Sequence, residues 1–498
     1  MQLNKILAGV AVQRSEGELA REVLGIVHDS RRVKPGMAFV AVKGLECDGH
    51  DYISDAIDRG AVAIICERNG FQSHRATKVV VSDTRAAMAR MANTFFDHPS
   101  RKLKVIGITG TNGKTTSAFT LKRLLEAQGI RTGLISTVHY ELGDRVLPAS
   151  LTTPESLELQ ALLAEMVQAG CQACVMEVSS HAMMQERVAG VEFDVGVFTN
   201  LSQDHLDYHR TMEDYFAAKR AFFRLVEKNP NAIGIVINAD DVYGQRLIRD
   251  AEIECISYGI DNECRLRSER IELRSDGSLC ELHTGQGIYH TRLAPIGRHN
   301  IYNSMAALGV IQLLGASVDK AVADLQKIAP VPGRLEKIQA GQNFDVVVDY
   351  AHTSDALANV LTTLRELTSG RVLVTFGCGG CRDIGKRIQM GEVAARLAHQ
   401  TIVTSDNPRK EAAAAIAAQI QAGYRKVRAD GCLSILDRHA AISEVIHRAL
   451  PGDTVLIAGK GHESFQELAD AVIPFDDRRH AVQILREMAT DRLTLHAA

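Results

Sequence analysis

Val105–Thr116 reads VIGITGTNGKTT, and no other stretch constrains the chain as tightly. Its first residues are mostly apolar and suit a buried parallel strand. A glycine-rich turn follows, and Ser117–Gln128 then carries apolar residues at helical spacing. A strand, a tight loop and a helix in this order make a phosphate cradle. Gly110 and Gly113 let the backbone turn so that N–H groups along Gly110, Thr111, Asn112, Gly113, Lys114, Thr115 and Thr116 face a ligand. The Lys114 ammonium reaches outer phosphates, and the Thr115 hydroxyl suits Mg²⁺. Ordinary phosphate loops carry Gly or Ala five residues before the GK pair; here that place is Ile108, which leaves the compact form GTNGKT.

A loop of this kind needs a sheet around it, and 498 residues leave room for about three domains. With 57 basic and 60 acidic residues and a formal charge of −3, neither a nucleic-acid surface nor an anionic membrane partner is expected. No apolar run approaches the ~20 residues of a membrane span. The N-terminal stretch MQLNKILAGVAVQRSEGE has no convincing cleavage site, so a cytoplasmic protein is expected. Ten scattered cysteines suit a reducing compartment. Two CxxC spacings, Cys171/Cys174 and Cys378/Cys381, are too far apart in the chain for a zinc ribbon and lack a flanking histidine, so buried or incidental cysteines are expected.

Residues 1–98 mix short strand-like runs (MAFVAV, AVAIICE, KVVVSD) with an amphipathic helix around Tyr52–Arg59, a small α/β domain. Two polar turns interrupt it, HDSRRVKPG with Ser30 and KGLECDGHDYI with Leu45, Glu46 and Cys47. Residues 99–332 then alternate strand and helix around the phosphate loop. In doubly wound sheets, ligands collect at the carboxyl ends of strands. The Thr-rich turn SLTTPES stands ahead of a helix, CVMEVSSHA ends a buried strand at Glu177, and VGVFTNLSQDHLDYH ends another in a polar cluster with Asn200, Asp204, His205, Asp207 and His209. His205 and His209 form HxxxH without the following Glu of a zinc hydrolase, and Mg²⁺–ATP explains the hard oxygen ligands better. Lys219, on an amphipathic helix, reads most simply as a surface or phosphate-facing lysine. Residues 250–295 read as a β-rich part of the ATP domain with no obvious site residues. Residues 333–498 hold four more strands, each ending in glycine-rich or charged residues, which predicts a Rossmann-like domain; the run FGCGGCR is an incomplete dinucleotide fingerprint.

In order, GTNGKT, MEVSSHA, TNLSQDHLDYHRTMEDYFAAKRAFF, GRHNIYN and DNPR resemble the Mur ligase family over essentially the whole chain, and the DSR and DGHDYI turns resemble its UDP-binding N-terminal domain. The resemblance implies a three-domain α/β architecture: a UDP-substrate domain at 1–98, a central P-loop ATPase domain at 99–332 and a C-terminal Rossmann-like amino-acid domain at 333–498. It implies an ATP- and Mg²⁺-dependent amide-bond ligase of peptidoglycan precursor synthesis, acting as a monomer on small molecules. By this resemblance Asn300, Arg334, Asp349 and His352 serve the nucleotide. Lys219 is carbamylated and, with Thr115, Glu177 and His205, holds metal; Lys114, Lys219 and His205 are the catalytic set. Ser30, Leu45, Glu46 and Cys47 take the uridine end, while Thr152, Thr153, Ser179, Gln185 and Arg187 position a muramoyl peptide. Arg382, Asp406, Asn407, Pro408, Arg409, Gly459 and Glu463 hold the incoming amino acid. Within the family DNPR marks members that add meso-diaminopimelate, whose distal carboxylate an arginine clamps in bidentate fashion. The rival readings are a related ligase for lysine, another amino acid or another acceptor, and a nucleotide-binding protein without amide chemistry.

Overall fold

The computed structural model describes residues 1–44, 47–68, 70–71 and 74–497, with side chains to residue 490. They fall into two compact units: Met1–Thr109, Gly129–Val197 and Ala218–Ile235 form one, and Gly110–Gln128, Phe198–Ala217 and Val236–Ala498 the other.

In the first unit, strands β1 (Val12–Glu16), β2 (Gly25–Val27), β3 (Met37–Val40), β4 (Ala63–Cys66) and β5 (Thr77–Val81) form a sheet of order β1–β5–β4–β3–β2. It is parallel from β2 to β5, with β1 antiparallel at the edge. Helix Thr84–Phe95 starts at Asp83, whose carboxylate accepts from the N–H groups of Arg85 and Ala86, and buries Ala87, Met88 and Met91 against the sheet. The unit also holds β6 (Lys104–Thr109), β7 (Thr132–Ile135), β8 (His139–Leu142), β9 (Arg145–Pro148), β10 (Ala173–Glu177) and β11 (Val195–Phe198), in the order β11–β6–β10–β7–β8–β9. β10 runs parallel to both β6 and β7 and is buried at every residue. That is why ACVME reads as a continuous apolar run and yet delivers a carboxylate, Glu177, at its carboxyl end.

The unit boundary falls within β12 (Gly234–Asn238), and the second unit contains β13 (Cys255–Gly259), β14 (Leu266–Arg274), β15 (Gly277–Thr284) and β16 (Gly287–Leu293), the last three an antiparallel meander. The β-rich reading of 250–295 is therefore borne out. A six-stranded sheet follows, β17 (Glu336–Ile338), β18 (Asp345–Asp349), β19 (Val372–Phe376), β20 (Gln400–Val403), β21 (Cys432–Ser434) and β22 (Thr454–Ala458), in the order β17–β18–β22–β19–β20–β21. All but β17 are parallel. Helices cover both faces. Val374 and Phe376 pack with Leu361, Met390 and Ile420 on one side, while Leu373 packs with Ile442, Val445 and Ile484 on the other. Because the strands are parallel, Asp349, Gly377, Thr404 and Gly459 emerge along one edge.

The helix after the phosphate loop spans Lys114–Ala127, three residues earlier than apolar spacing indicates. Lys114, Thr115 and Thr116 carry no periodic signal; Gly113, left-handed at φ +86°, sets the start. Lys219 is 1% exposed, which overturns its reading as a surface lysine. Tyr215, Lys219 and Phe223 share the buried i, i+4 face of helix Met212–Glu227. All ten cysteines are free. Burial pushes the Cys174 thiol up, and that of Cys378 up to about 12, which makes both poor thiolates. Among the described residues no helix is long and apolar enough to cross a membrane.

Candidate active site

In the second unit the phosphate loop is pinned by the segment after β11. Thr111 N–H donates to the Asn200 carbonyl at 2.8 Å, Asn112 N–H to Asn200 Oδ1 at 2.9 Å, and Thr199 Oγ1 to the Asn112 carbonyl at 2.6 Å. The fit leaves no room at Gly110, where a Cβ would overlap Thr199 Oγ1. Asn303 Oδ1 fills the corresponding space at Gly113, accepts from Ser117 Oγ at 3.3 Å, and its Nδ2 donates to Asn300 Oδ1 at 3.0 Å. Asn300 in turn donates to the Ile296 carbonyl at 2.7 Å and is buried beneath the loop. The two asparagines thus brace the loop from the neighbouring helix, Arg298–Leu313.

Lys114 Nζ donates to the carbonyls of Gly110 and Thr111, at 3.0 and 2.8 Å, so its charge already lies over the loop. Arg334 donates through Nη2 to Thr115 Oγ1 at 3.1 Å, and its guanidinium stacks over the Tyr350 ring, 4.5 Å from the centroid. Asp349 receives the N–H groups of Leu335 and Ala351, both at 2.7 Å, and so fixes the backbone beside Arg334. Burial raises the pKa of Asp349 above the usual carboxylate range in spite of Arg334 and those N–H groups.

Asp204 is the anion that gathers the rest. It is 4% exposed, with Lys386 Nζ 3.6 Å from Oδ1, and His205 Nε2 and His352 Nε2 at 3.4 and 3.7 Å from Oδ2. Burial pushes its pKa up, but His352, Lys386 and His205 outweigh that and hold it well below the ordinary value. Asn112 Nδ2 donates to Asp355 Oδ2 at 2.8 Å. Lys386 and Asp355 escaped sequence reasoning. Lys386 lies in the run RDIGKR, where a cation beside a strand-end glycine turn was the available signal.

A second cluster occupies the strand ends of the six-stranded sheet. Lys460, fully buried, donates to Asn407 Oδ1 at 3.0 Å and Glu463 Oε2 at 2.7 Å, and Asn407 Nδ2 reaches the same Glu463 oxygen at 3.0 Å. Asp406 comes so close to Gly459 that a Cβ there would stand 2.5 Å from Oδ2. Arg409 donates through Nε to Glu467 Oε2 at 2.8 Å and through Nη1 to the Gly380 carbonyl at 2.9 Å. Among the described residues no acceptor stands against its Nη2. Pro408 is buried, whereas Arg382 is exposed. Lys460 and Glu467, which orient Asn407 and Arg409, were missed by sequence reasoning. Tyr350 joins the clusters: its hydroxyl lies 3.4 Å from Glu463 Oε1 and its ring carries Arg334.

The first unit holds two further groups. Thr153 Oγ1 donates to the Glu177 carbonyl at 2.8 Å and accepts from Ser179 N–H at 3.0 Å. Arg187 donates to the Thr153 carbonyl at 2.9 Å and to Gln185 Oε1 at 2.7 Å, and pairs with Glu155 at 3.0 Å. Thr137 donates to both oxygens of the fully buried Glu177 and to Thr152 Oγ1. Thr152, Thr153, Ser179, Gln185 and Arg187 are thus one assembly. The second group is a cavity of about 640 Å³ lined by Ser30, Cys47, Tyr52, Asp55, Arg85 and Glu155 among others. Leu45 and Glu46, expected in this turn, lie outside the described residues. Of the expected metal ligands, Glu177 and Lys219 belong to the first unit and Thr115 and His205 to the second.

Three family models match the chain in order: Mur ligase family, catalytic domain, over residues 22–96; Mur ligase middle domain over 108–311; and Mur ligase, glutamate ligase domain, over 333–461. A protein of Syntrophomonas wolfei named UDP-N-acetylmuramoyl-L-alanyl-D-glutamate–2,6-diaminopimelate ligase is 42% identical over 486 residues, 98% of this chain and 99% of its own. The chain belongs to the Mur ligase family. A ligase of the same name from Geobacter sulfurreducens is 43% identical across 97% of this chain and 98% of its own. A solved Mur ligase structure, that of a UDP-N-acetylmuramoyl-L-alanyl-D-glutamate–2,6-diaminopimelate ligase, superposes with a TM-score of 0.68 at 30% identity, covering 98% of this chain and 99% of that one. A folylpolyglutamate synthase of Mycobacterium tuberculosis shares the fold at 18% identity and TM-score 0.62, but over 76% of this chain. The α/β class and Mur ligase architecture expected from the motifs are thereby borne out, and with them an ATP-dependent ligase.

Proposed function

We propose that this Mur ligase joins meso-2,6-diaminopimelate to the D-glutamyl carboxylate of UDP-N-acetylmuramoyl-L-alanyl-D-glutamate, using ATP and passing through an acyl phosphate. The observation that carries the reading is Arg409. Glu467 and the Gly380 carbonyl fix two edges of its guanidinium, and Nη2 is left for a ligand carboxylate; Asp406 and Asn407 follow β20, at the same strand-end edge of the sheet, and Asn407 is bonded to Glu463. Diaminopimelate carries a distal carboxylate that lysine lacks, and a preorganised guanidinium rewards it. The names of the relatives point the same way.

The phosphate loop fits a nucleotide: its glycines admit no side chain, Lys114 lies over it, and Thr115 offers a hydroxyl. Lys114 and Arg334 stabilise charge on the transferring phosphoryl group. Mg²⁺, when bound, supplies further charge neutralisation at the phosphates. Within the second unit we assign Thr115 and His205 to it; the other ligands the family resemblance implies are Glu177 and Lys219 of the first unit, where carbamylation would turn the buried cation of Lys219 into a carboxylate-like ligand. Asn300, Asp349 and His352 shape the nucleotide site. Within the first unit, Thr152, Thr153, Ser179, Gln185 and Arg187 position the muramoyl peptide, and the 640 Å³ cavity with Ser30 and Cys47 takes the uridine end. Asp406 and Glu463 attract the ammonium groups of the incoming amino acid. Ten free cysteines agree with work in the cytoplasm.

Arg409→Ala tests the specificity. Loss of a charge-assisted clamp of this kind costs about 2–4 kcal/mol, so KM for meso-diaminopimelate should rise about 30- to 1,000-fold while KM for ATP stays within a factor of about three. Steady-state phosphate release measures both. An unchanged KM for diaminopimelate would remove Arg409 from the site.

A further inference from the structure

The meander β14–β15–β16 carries a set of side chains that no step of the reaction uses. Glu269 stands opposite Glu281 in the β14–β15 pairing, and Glu281 opposite His290 in the β15–β16 pairing. His283, two residues beyond Glu281, projects from the same face. His283 Nε2 lies 2.7 Å from Glu281 Oε1 and 3.9 Å from Glu269 Oε2, and His290 Nδ1 lies 3.3 Å from Glu281 Oε2. One ligand atom each from Glu269, Glu281 and His283 falls within 4.8 Å of the others. A tetrahedral ion with bonds of about 2.0–2.2 Å to nitrogen and oxygen holds its donors roughly 3.4 Å apart, and the observed separations bracket that value.

Burial separates the roles. The Glu281 side chain is 8% exposed and fixed between its neighbours, whereas those of Glu269 and His283 are 39% and 34% exposed, so an ion has access from solvent. His290, largely exposed, can turn into the fourth position. Two arginines border the cluster. Arg267 Nη1 is 3.4 Å from Glu269 Oε1 and Arg270 Nη1 is 3.3 Å from Glu281 Oε2; Arg270 stands on a bulge and is mostly solvated, so it can swing away. Two imidazoles and two carboxylates favour a borderline divalent ion over Mg²⁺, which prefers oxygen and keeps its waters.

We propose that Glu269, Glu281 and His283, completed by His290, bind Zn²⁺ and tie the three strands of this meander together. The test is calorimetric titration of Zn²⁺ into the chelator-treated full chain in Mg²⁺-containing buffer, with melting temperature as a second readout. One equivalent should bind with micromolar affinity and raise the melting temperature. Glu269→Gln, at a half-exposed position, and His283→Ala should each weaken binding about 10-fold or more and abolish the thermal shift. Three results would overturn the proposal: no Zn²⁺ uptake, equal uptake in both variants, or uptake lost instead in His439→Ala, whose imidazole lies 2.9 Å from that of His480.

Discussion

Lys114→Ala is expected to lower ATP-dependent phosphate release about 10²- to 10³-fold, the scale of removing one preorganised charge stabiliser from a transferring group. Its two hydrogen bonds to Gly110 and Thr111 are local, so the melting temperature should fall by no more than about 2–4 °C. A phosphate-release assay beside thermal unfolding separates these effects. Activity within threefold of the parent would mean that Lys114 does not act on the phosphoryl group, because the loop itself stays braced by Thr199, Asn200 and Asn303.

The other large effect belongs to the pair Arg438–Asp477, whose side chains are fully buried, with Nε–Oδ1 at 2.7 Å and Nη2–Oδ2 at 2.6 Å. Arg438 also donates to the carbonyls of Ser405 and Ala458, the residues directly before Asp406 and Gly459. Asp477→Ala leaves that guanidinium buried without its counter-ion and should cost about 3–5 kcal/mol of stability, read as a lower urea midpoint. Replacing both partners together, Arg438→Met with Asp477→Leu, should recover most of the loss because no charge is then left unpaired. A cost below about 1 kcal/mol for Asp477→Ala would show that the backbone carbonyls alone hold Arg438.

What the sequence made legible was local. The phosphate loop, the strand-end motifs and DNPR each concentrate their chemistry within a few residues, and a parallel sheet brings successive strand ends to one edge. What it concealed was non-local. Asp204 draws Lys386 and His352 from distant segments, Lys460 and Glu467 orient Asn407 and Arg409 from another strand end, and no spacing announces either group. The surface alternative for Lys219 fell for a different reason. Its charge suggested the surface, but its position four residues from both Tyr215 and Phe223 puts it on the buried stripe of the helix, and that period was visible in the chain.

The most direct measurement of the central claim is phosphate release with ATP, Mg²⁺ and UDP-N-acetylmuramoyl-L-alanyl-D-glutamate, comparing meso-diaminopimelate, lysine, ornithine and no amine. The account predicts sustained release with meso-diaminopimelate and only background with the others, because the Nη2 edge of the Arg409 guanidinium rewards a distal carboxylate that they lack. Equal or greater release with lysine would contradict it.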